Sequence, residues 1–416
     1  MGRIRYLDGL RGFAALQVVL LHLLSAFLPE AVFRTPTDSS LASAMHYSPL
    51  GLLYDGHDAV YLFFLISGFA LTRAYGQANS ITPVICSRFL RFALPLILCC
   101  YITWGIGCFV KGDYLTVAAI TGSSWMAELW HYPQSALQPL RDAIVNGLLF
   151  GFYQQSPAAN LFSSVAQPIA HSLLPPMWTL NVEIRGTILV LLLNKLRQAS
   201  PRKWIGISVG LGLLFSLDQF LCFVVGHAAA ASRLDERLPK TGWLVGMPLC
   251  AIGLLIFWQA QQGWPIALNG MCQSQWIAPF TCENADVVLR IYGAIAVFLG
   301  ITLSTALRGV FTHPTLQRLG QISFPLYLIH WPIVYGVAVE IFLWLQPNCG
   351  ETLSALFAIG AGIGLSLVAA RVLLPFDETA QHIAKHVRSM IAIGLRWLRF
   401  HLGRVLSPAL LKPPNR

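Results

Sequence analysis

The chain has 416 residues, 56% of them hydrophobic and only 11% charged. Soluble domains carry about 25% charged residues, so this composition excludes an ordinary globular enzyme and indicates an integral membrane protein. Lys and Arg outnumber Asp and Glu by 28 to 18, but they flank apolar stretches, which the positive-inside rule explains without nucleic acid.

Several apolar stretches reach the roughly 20 residues that a crossing helix needs, and none alternates as a barrel strand would. The expected fold class is all-α, a polytopic membrane bundle of nine or ten transmembrane helices.

The first stretch, Leu7–Leu28, carries Asp8, Arg11 and His22. Ionisable residues in a span are costly and read by default as a functional site. Arg11 and His22 share a helix face roughly 16 Å apart, and Asp8 lies about 40° off that line. A charge pair at the interface plus a satisfied core histidine is the plain alternative. Asp8 and Arg11 also interrupt the pattern of a secretory signal, so a retained helix with a cytoplasmic N-terminus is expected.

The second span, Ala59–Tyr75, follows Asp55-Gly56-His57-Asp58. Asp58 can cap it, and Ser67 and Gly68 are small enough to admit a neighbouring helix. Phe92–Val110, the third, is entered through Arg88 and Arg91, which share a face. At a helix N-terminus the dipole disfavours cations and favours anions. The two arginines are therefore either ordinary inside anchors or a grip for phosphates. Lys111–Pro176 then lies outside, and within it Ala143–Tyr153 is apolar but too short to cross.

Met177–Asn194 places Glu183 about 9 Å into the fourth span, where a carboxylate needs a partner or a water-filled cavity. Arg185, on nearly the opposite side, is not the expected partner. Next come Trp204–Gly226, Trp243–Trp258, Val288–Leu307, Ile322–Leu345 and Leu353–Leu374. Tyr327 and His330 share a face of the eighth span. Nine spans leave the basic C-terminus outside, against the positive-inside rule. Either a span between Lys203 and Arg308 is missed, with Gly263–Cys282 as its hiding place, or one is broken.

The tail, Thr379–Val405, alternates Ile, Val and Leu with Lys and Arg at helical spacing. That pattern suits a helix on an anionic leaflet or a solvated basic tail. The domain reading is a membrane unit over 1–375 and a tail over 376–416. The nine cysteines form no CxxC, and no HExxH is present, so no metal site is expected. Cys86, Cys99, Cys100, Cys108, Cys222 and Cys250 read as packing residues. Cys272 and Cys282 can pair if their loop faces an oxidising compartment.

Taken together, five segments resemble the acyltransferase-3 family of membrane O-acyltransferases. They are Leu7-Asp8-Gly9-Leu10-Arg11-Gly12 with His22, Phe63 to Phe69, Arg88-Phe89-Leu90-Arg91, Trp178-Thr179-Leu180 with Glu183, and Ser323 to Pro332. They occur in the family's order. The resemblance implies an enzyme that moves an acyl group, usually acetyl, from cytoplasmic acetyl-CoA to a hydroxyl of an exported carbohydrate. Exopolysaccharide, lipopolysaccharide and glycolipid are the acceptors it suggests.

By that likeness His22 is the catalytic histidine, with Asp8 and Glu183 in the same site. Arg11, Arg88 and Arg91 form the donor-binding surface, and Ser67, Asp58, Tyr327 and His330 contact substrate. The expected partners are the acceptor, membrane lipids and polysaccharide synthesis or export machinery. The expected location is a plasma membrane, bacterial inner membrane by preference. Two departures from the family are the count of nine spans, where about ten are usual, and the absence of an appended hydrolase-like domain. The membrane unit would then perform the whole transfer. Hydroxyl attack on a thioester needs a base titrating near working pH, which suits histidine; direct transfer and an acyl-enzyme both remain open. The competing classes are a glycolipid transporter or flippase and a scaffold of a polysaccharide synthase.

Overall fold

A computed structural model describes residues 4–33, 44–45, 47–78, 80–110, 112–153, 160, 166–236, 242–262 and 285–406. Among these the chain is helical, with no strand beyond an isolated bridge between Tyr153 and Pro168. Six described stretches are long and apolar enough to cross a membrane: Arg5–Phe27, Thr82–Val110, Pro175–Ala199, Trp243–Gln261, Asp286–Leu303 and Pro314–Leu398. The described residues thus bear out the all-α expectation, with six helices of membrane-crossing length and not the nine or ten expected. Both Gly263–Cys282 and the Cys272/Cys282 pair lie outside the described residues.

Helix α1 (Arg5–Phe27) defines a proximal end, where it starts, and a distal end. Helix α2 (Gly56–Tyr75) returns from distal to proximal. Helix α3 (Thr82–Val110) climbs again and is followed at the distal end by α4 (Asp113–Thr121). The distal segment ends in Asp142–Phe150, wound as a π-helix. This piece was expected to be too short to cross, and it dips into the bundle instead. Asn181 donates to the carbonyls of Leu148 and Leu149, and Arg185 donates to that of Phe150 at 2.8 Å. Helix α5 (Trp178–Ala199) brings the chain back to the proximal end, where Gln198 donates to the Gly76 carbonyl.

The stretch Trp204–Gly226, expected to be one span, is two antiparallel helices. These are α6 (Pro201–Leu214) and α7 (Phe220–Ala231). At 1.5 Å per residue they are about 21 and 18 Å long, so neither spans a bilayer core of about 30 Å. The turn between them is polar, and Asp218 accepts from the Phe220 N–H at 2.7 Å. Helix α7 lies on α2 through two glycines. A Cβ on Gly68 would stand 2.6 Å from the Phe223 carbonyl oxygen, and one on Gly226 2.3 Å from that of Leu65. The expected role of Gly68 in close helix approach is thus realised by a helix that was not foreseen.

Helix α8 (Trp243–Gln261) runs to the distal end, where Gln261 meets Gly51. Helix α9 (Ala285–Leu303) returns, and Ser304 starts the short proximal α10 (Thr305–Phe311) by accepting from Leu307 N–H. The expected Val288–Leu307 span therefore ends at Leu303. Helix α11 (Pro314–Pro332) rises beside α1. A Cβ on Gly12 would lie 2.4 Å from the Gly320 nitrogen, and one on Gly320 2.2 Å from the Asp8 carbonyl oxygen. Only glycine permits this contact, which sets Asp8 and Arg11 against α11.

Helix α12 (Ala338–Leu406) is broken at Gly350, whose φ is 73°. It descends past Leu23, which touches Gly362, and reaches the proximal end where Arg388 lies over the Tyr75 ring at 5.3 Å. The tail expected as a unit from 376 is therefore an uninterrupted continuation of the last membrane helix. With the α6–α7 hairpin between them, the start of α1 and the Arg388 turn of α12 both stand at the proximal end. Of the cysteines expected to pack, Cys108 is exposed, whereas Cys99, Cys100 and Cys222 are buried.

Candidate functional site

A cavity of about 630 Å³ lies among α1, α2, α3, α5, α11 and α12. Its polar lining includes Asp8, Arg11, Ser67, Arg88, Arg91, Glu183 and Tyr327. Seven of the ten candidate residues thus meet in one space, although they come from five helices spread over 320 residues of sequence. At the proximal mouth α12 adds Asp377, Gln381 and the exposed Glu378.

Glu183 finds its partner across the cavity. Arg88 Nη2 and the Ser67 hydroxyl both donate to its Oε1, and the Arg88 guanidinium covers the Phe92 ring at 4.9 Å. Arg185 faces elsewhere, as its position two residues on requires. The ion pair is largely buried, its side chains 12% and 13% exposed. Glu183 therefore meets most of the Arg88 charge, and Arg11 and Arg91 bring further cations to the mouth.

Phe63 and Tyr327, with ring centroids 6.0 Å apart, both line the cavity. Tyr327 donates to the Pro176 carbonyl at 2.5 Å and bonds the Thr179 hydroxyl at 2.8 Å. Two of the remaining three candidates adjoin Tyr327, whose ring centroid is 6.2 Å from that of His330. His22 Nδ1 and His330 Nε2 are 2.7 Å apart, with ring planes only 2° apart. His330 Nδ1 stands 3.1 Å from the Leu326 carbonyl oxygen.

A carbonyl only accepts, so His330 carries its proton on Nδ1 and presents a lone pair at Nε2. His22 must then donate from Nδ1, which leaves the lone pair on His22 Nε2. A proton is thus directed along one line, and a base is left at its end. His330 is buried, whereas His22 keeps partial exposure.

The distal segment supplies the other wall. Trp125 stacks on His22 with centroids 5.5 Å apart, and Trp331 meets the ring edge-on at 5.2 Å. Trp125 is held by its neighbours: Ser123 donates to the Ser25 carbonyl at 2.6 Å and Thr121 to that of Ala26 at 3.0 Å. Nothing in the sequence spacing marks Trp125.

Behind this wall Asp142 accepts from Leu173 N–H at 2.7 Å, Gln167 at 2.7 Å, Asn146 at 3.0 Å and Ser172 at 3.1 Å. Burial pushes its carboxyl up to about 6 against the opposing pull of these four bonds. Through these four bonds it ties the segment together.

Asp58 does not join the cavity. Arg290 of α9 donates to it at 2.6 Å and to Asp55 at 2.7 Å. The N-cap expected of Asp58 is supplied by Asp55, which accepts from His57 N–H at 2.9 Å. Arg290 is 232 residues away in sequence, so local reasoning could not pair them. Asp377 and Gln381 were also missed, because Pro375 reads as the end of the last span.

A family model described as an acyltransferase domain matches residues 4–371. Comparison with curated proteins and with solved structures gives no match.

Proposed function

The chain belongs to the acyltransferase-3 family of membrane acyltransferases, and on that premise we propose that it moves an acetyl group from acetyl-CoA to a hydroxyl of an exported carbohydrate. The observation that carries this reading is one alignment. An arginine-lined cavity enters from the proximal end, and adjoining Tyr327 of its lining stands a hydrogen-bonded histidine pair.

In this proposal the proximal end is cytoplasmic. Arg73, Arg88, Arg91, Arg197, Arg202, Lys203 and the basic tail all gather there, as the positive-inside rule requires. With α6 and α7 counted as two half-length membrane helices, the described residues supply ten. The membrane is a plasma membrane, in a bacterium the inner one, and polysaccharide synthesis or export machinery presents the acceptor on the distal side.

Arg11 and Arg91 hold the donor phosphates, and Glu183 keeps Arg88 oriented across the entry. The pantetheine arm runs down the cavity and delivers the thioester past Phe63 and Tyr327. His22 Nε2 takes the proton of the acceptor hydroxyl as its oxygen attacks the thioester carbonyl carbon. The C–O bond forms, the C–S bond breaks, and the proton passes from His22 to the departing thiolate. The imidazolium formed on the way is stabilised by its Nδ1–H bond to His330. Asp8 and Glu183 position cations, and Asp58 shapes the distal side through Arg290. No metal is called upon.

The test is the acetyl-ester content of envelope carbohydrate from cells producing the chain or its His22→Ala variant at matched protein level. Esters lost with His22→Ala support the proposal, and full acetylation in that variant would sink it.

A further inference from the structure

Resting on the donor reading above, we infer that the start of the C-terminal helical extension, through Asp377 and Gln381, recognises the nucleoside of the acyl-CoA and so sets donor specificity. The region matched by the family model ends at residue 371, so these residues lie just beyond it.

Three observations carry the inference. Helix α12 continues unbroken past Pro375, and Asp377, Glu378 and Gln381 line the cavity mouth opposite the arginines of α1 and α3. Asp377 is only 3% exposed, and its Oδ1 has no hydrogen-bond partner. Its other oxygen, Oδ2, accepts from Gln381 Nε2 at 2.8 Å, which holds the carboxylate in place. A buried acceptor left unsatisfied is destabilising, so a residue lining a ligand cavity in that state calls for a donor from the ligand.

The chemistry selects which part of the ligand. A carboxylate only accepts, and it repels phosphate. The mouth therefore has two unlike walls: cations that suit the phosphates, and an acidic, amide-bearing wall that suits hydrogen-bond donors. On a coenzyme A thioester the donors that remain at the mouth are the adenine amino group and the ribose hydroxyl, because the pantetheine amides lie deeper. Asp377 Oδ1 accepts from that nucleoside.

The experiment compares acetyl-CoA with acetyl-4′-phosphopantetheine, which lacks the nucleoside, as donors for the full chain in nanodiscs. The variants are Asp377→Asn and Asp377→Ala, and inhibition by adenosine 3′,5′-bisphosphate is the second readout. A hydrogen bond to a charged group corresponds to roughly tenfold or more in binding. KM for acetyl-CoA and the inhibition constant of the bisphosphate should both rise by about that factor in Asp377→Ala. The ratio of KM for acetyl-CoA to KM for acetyl-4′-phosphopantetheine should rise by the same factor, and a wild-type thermal midpoint shows that the variant is folded.

Equal losses with both donors would overturn the inference, since Asp377 would then be structural. Tighter binding of both donors would overturn it too, because Asp377 would then act only as the counter-charge of Arg91. If wild type turns over neither donor, it is the acyl-CoA reading itself that fails.

Discussion

Replacing His330 with Phe removes the acceptor for His22 Nδ1–H while keeping an aromatic ring of similar size. His22 Nδ1 and His330 Nε2 are 2.7 Å apart, and His330 is itself fixed by the Leu326 carbonyl. In the resting enzyme the change orphans one buried donor. During the reaction it removes a hydrogen bond to an imidazolium, worth about 1.5–3 kcal/mol. Since 1.36 kcal/mol is tenfold in rate, kcat should fall roughly 10- to 150-fold. KM for acetyl-CoA should hardly move, because His330 does not line the donor cavity. His330→Gln, which keeps an acceptor oxygen, should recover part of the loss. Acetyl transfer by purified protein in nanodiscs, with donor concentration varied, measures both constants. A His330→Phe enzyme with wild-type kcat would refute the proton line drawn from Leu326 to His22. An equal rise in KM would refute its separation from the donor cavity.

The buried Arg88–Glu183 pair gives a second expectation: Arg88→Ala should cost about 3–5 kcal/mol, because Glu183 is left with Ser67 alone. The double variant with Glu183→Ala should recover part of it, which a thermal double-mutant cycle would read. Gly320→Ala places a methyl group 2.2 Å from the Asp8 carbonyl oxygen. Overpacking of this kind costs about 1–3 kcal/mol, so a lowered Tm and weaker donor binding are expected, and an unchanged Tm would contradict the close α1–α11 contact. Asp142 has its carboxyl raised from 3.8 to about 6, so the folded state holds the proton more tightly than the unfolded one. Its contribution to stability is present below about pH 4 and fades as pH rises through 6, roughly 3 kcal/mol in all. Asp142→Asn should flatten that decline in a pH series of thermal midpoints. It should also lower stability at pH 7, where the carboxylate accepts four bonds.

Composition alone carried the all-helical membrane fold, because 56% hydrophobic residues with 11% charge has few other physical solutions. The site was legible to the extent that ions in apolar stretches are costly. Asp8, Arg11 and Glu183 stood out for that reason, Arg88 and Arg91 as a same-face pair at a helix N-terminus, and the fold gathers all five into one cavity. The α6–α7 hairpin was missed for a readable reason: Asp218 interrupts an apolar run of spanning length and accepts the Phe220 N–H in its turn. The pairing of Asp58 with Arg290 and the stacking of Trp125 on His22 were not legible. They depend on which helices become neighbours, and periodicity within one helix carries no such information. The arrival of Asp377 at the cavity likewise needed the course of α12 past Pro375.

The most direct test of the account is release of free thiol from acetyl-CoA by the purified chain in nanodiscs with a carbohydrate acceptor, wild type beside His22→Ala. Wild type should release thiol only with the acceptor present, and His22→Ala should lose that release while retaining donor binding, because Arg11 and Arg91 are untouched. Equal release by both proteins would contradict the role given to His22. Acceptor movement across the membrane without any thiol release would contradict the acyl-transfer reading itself.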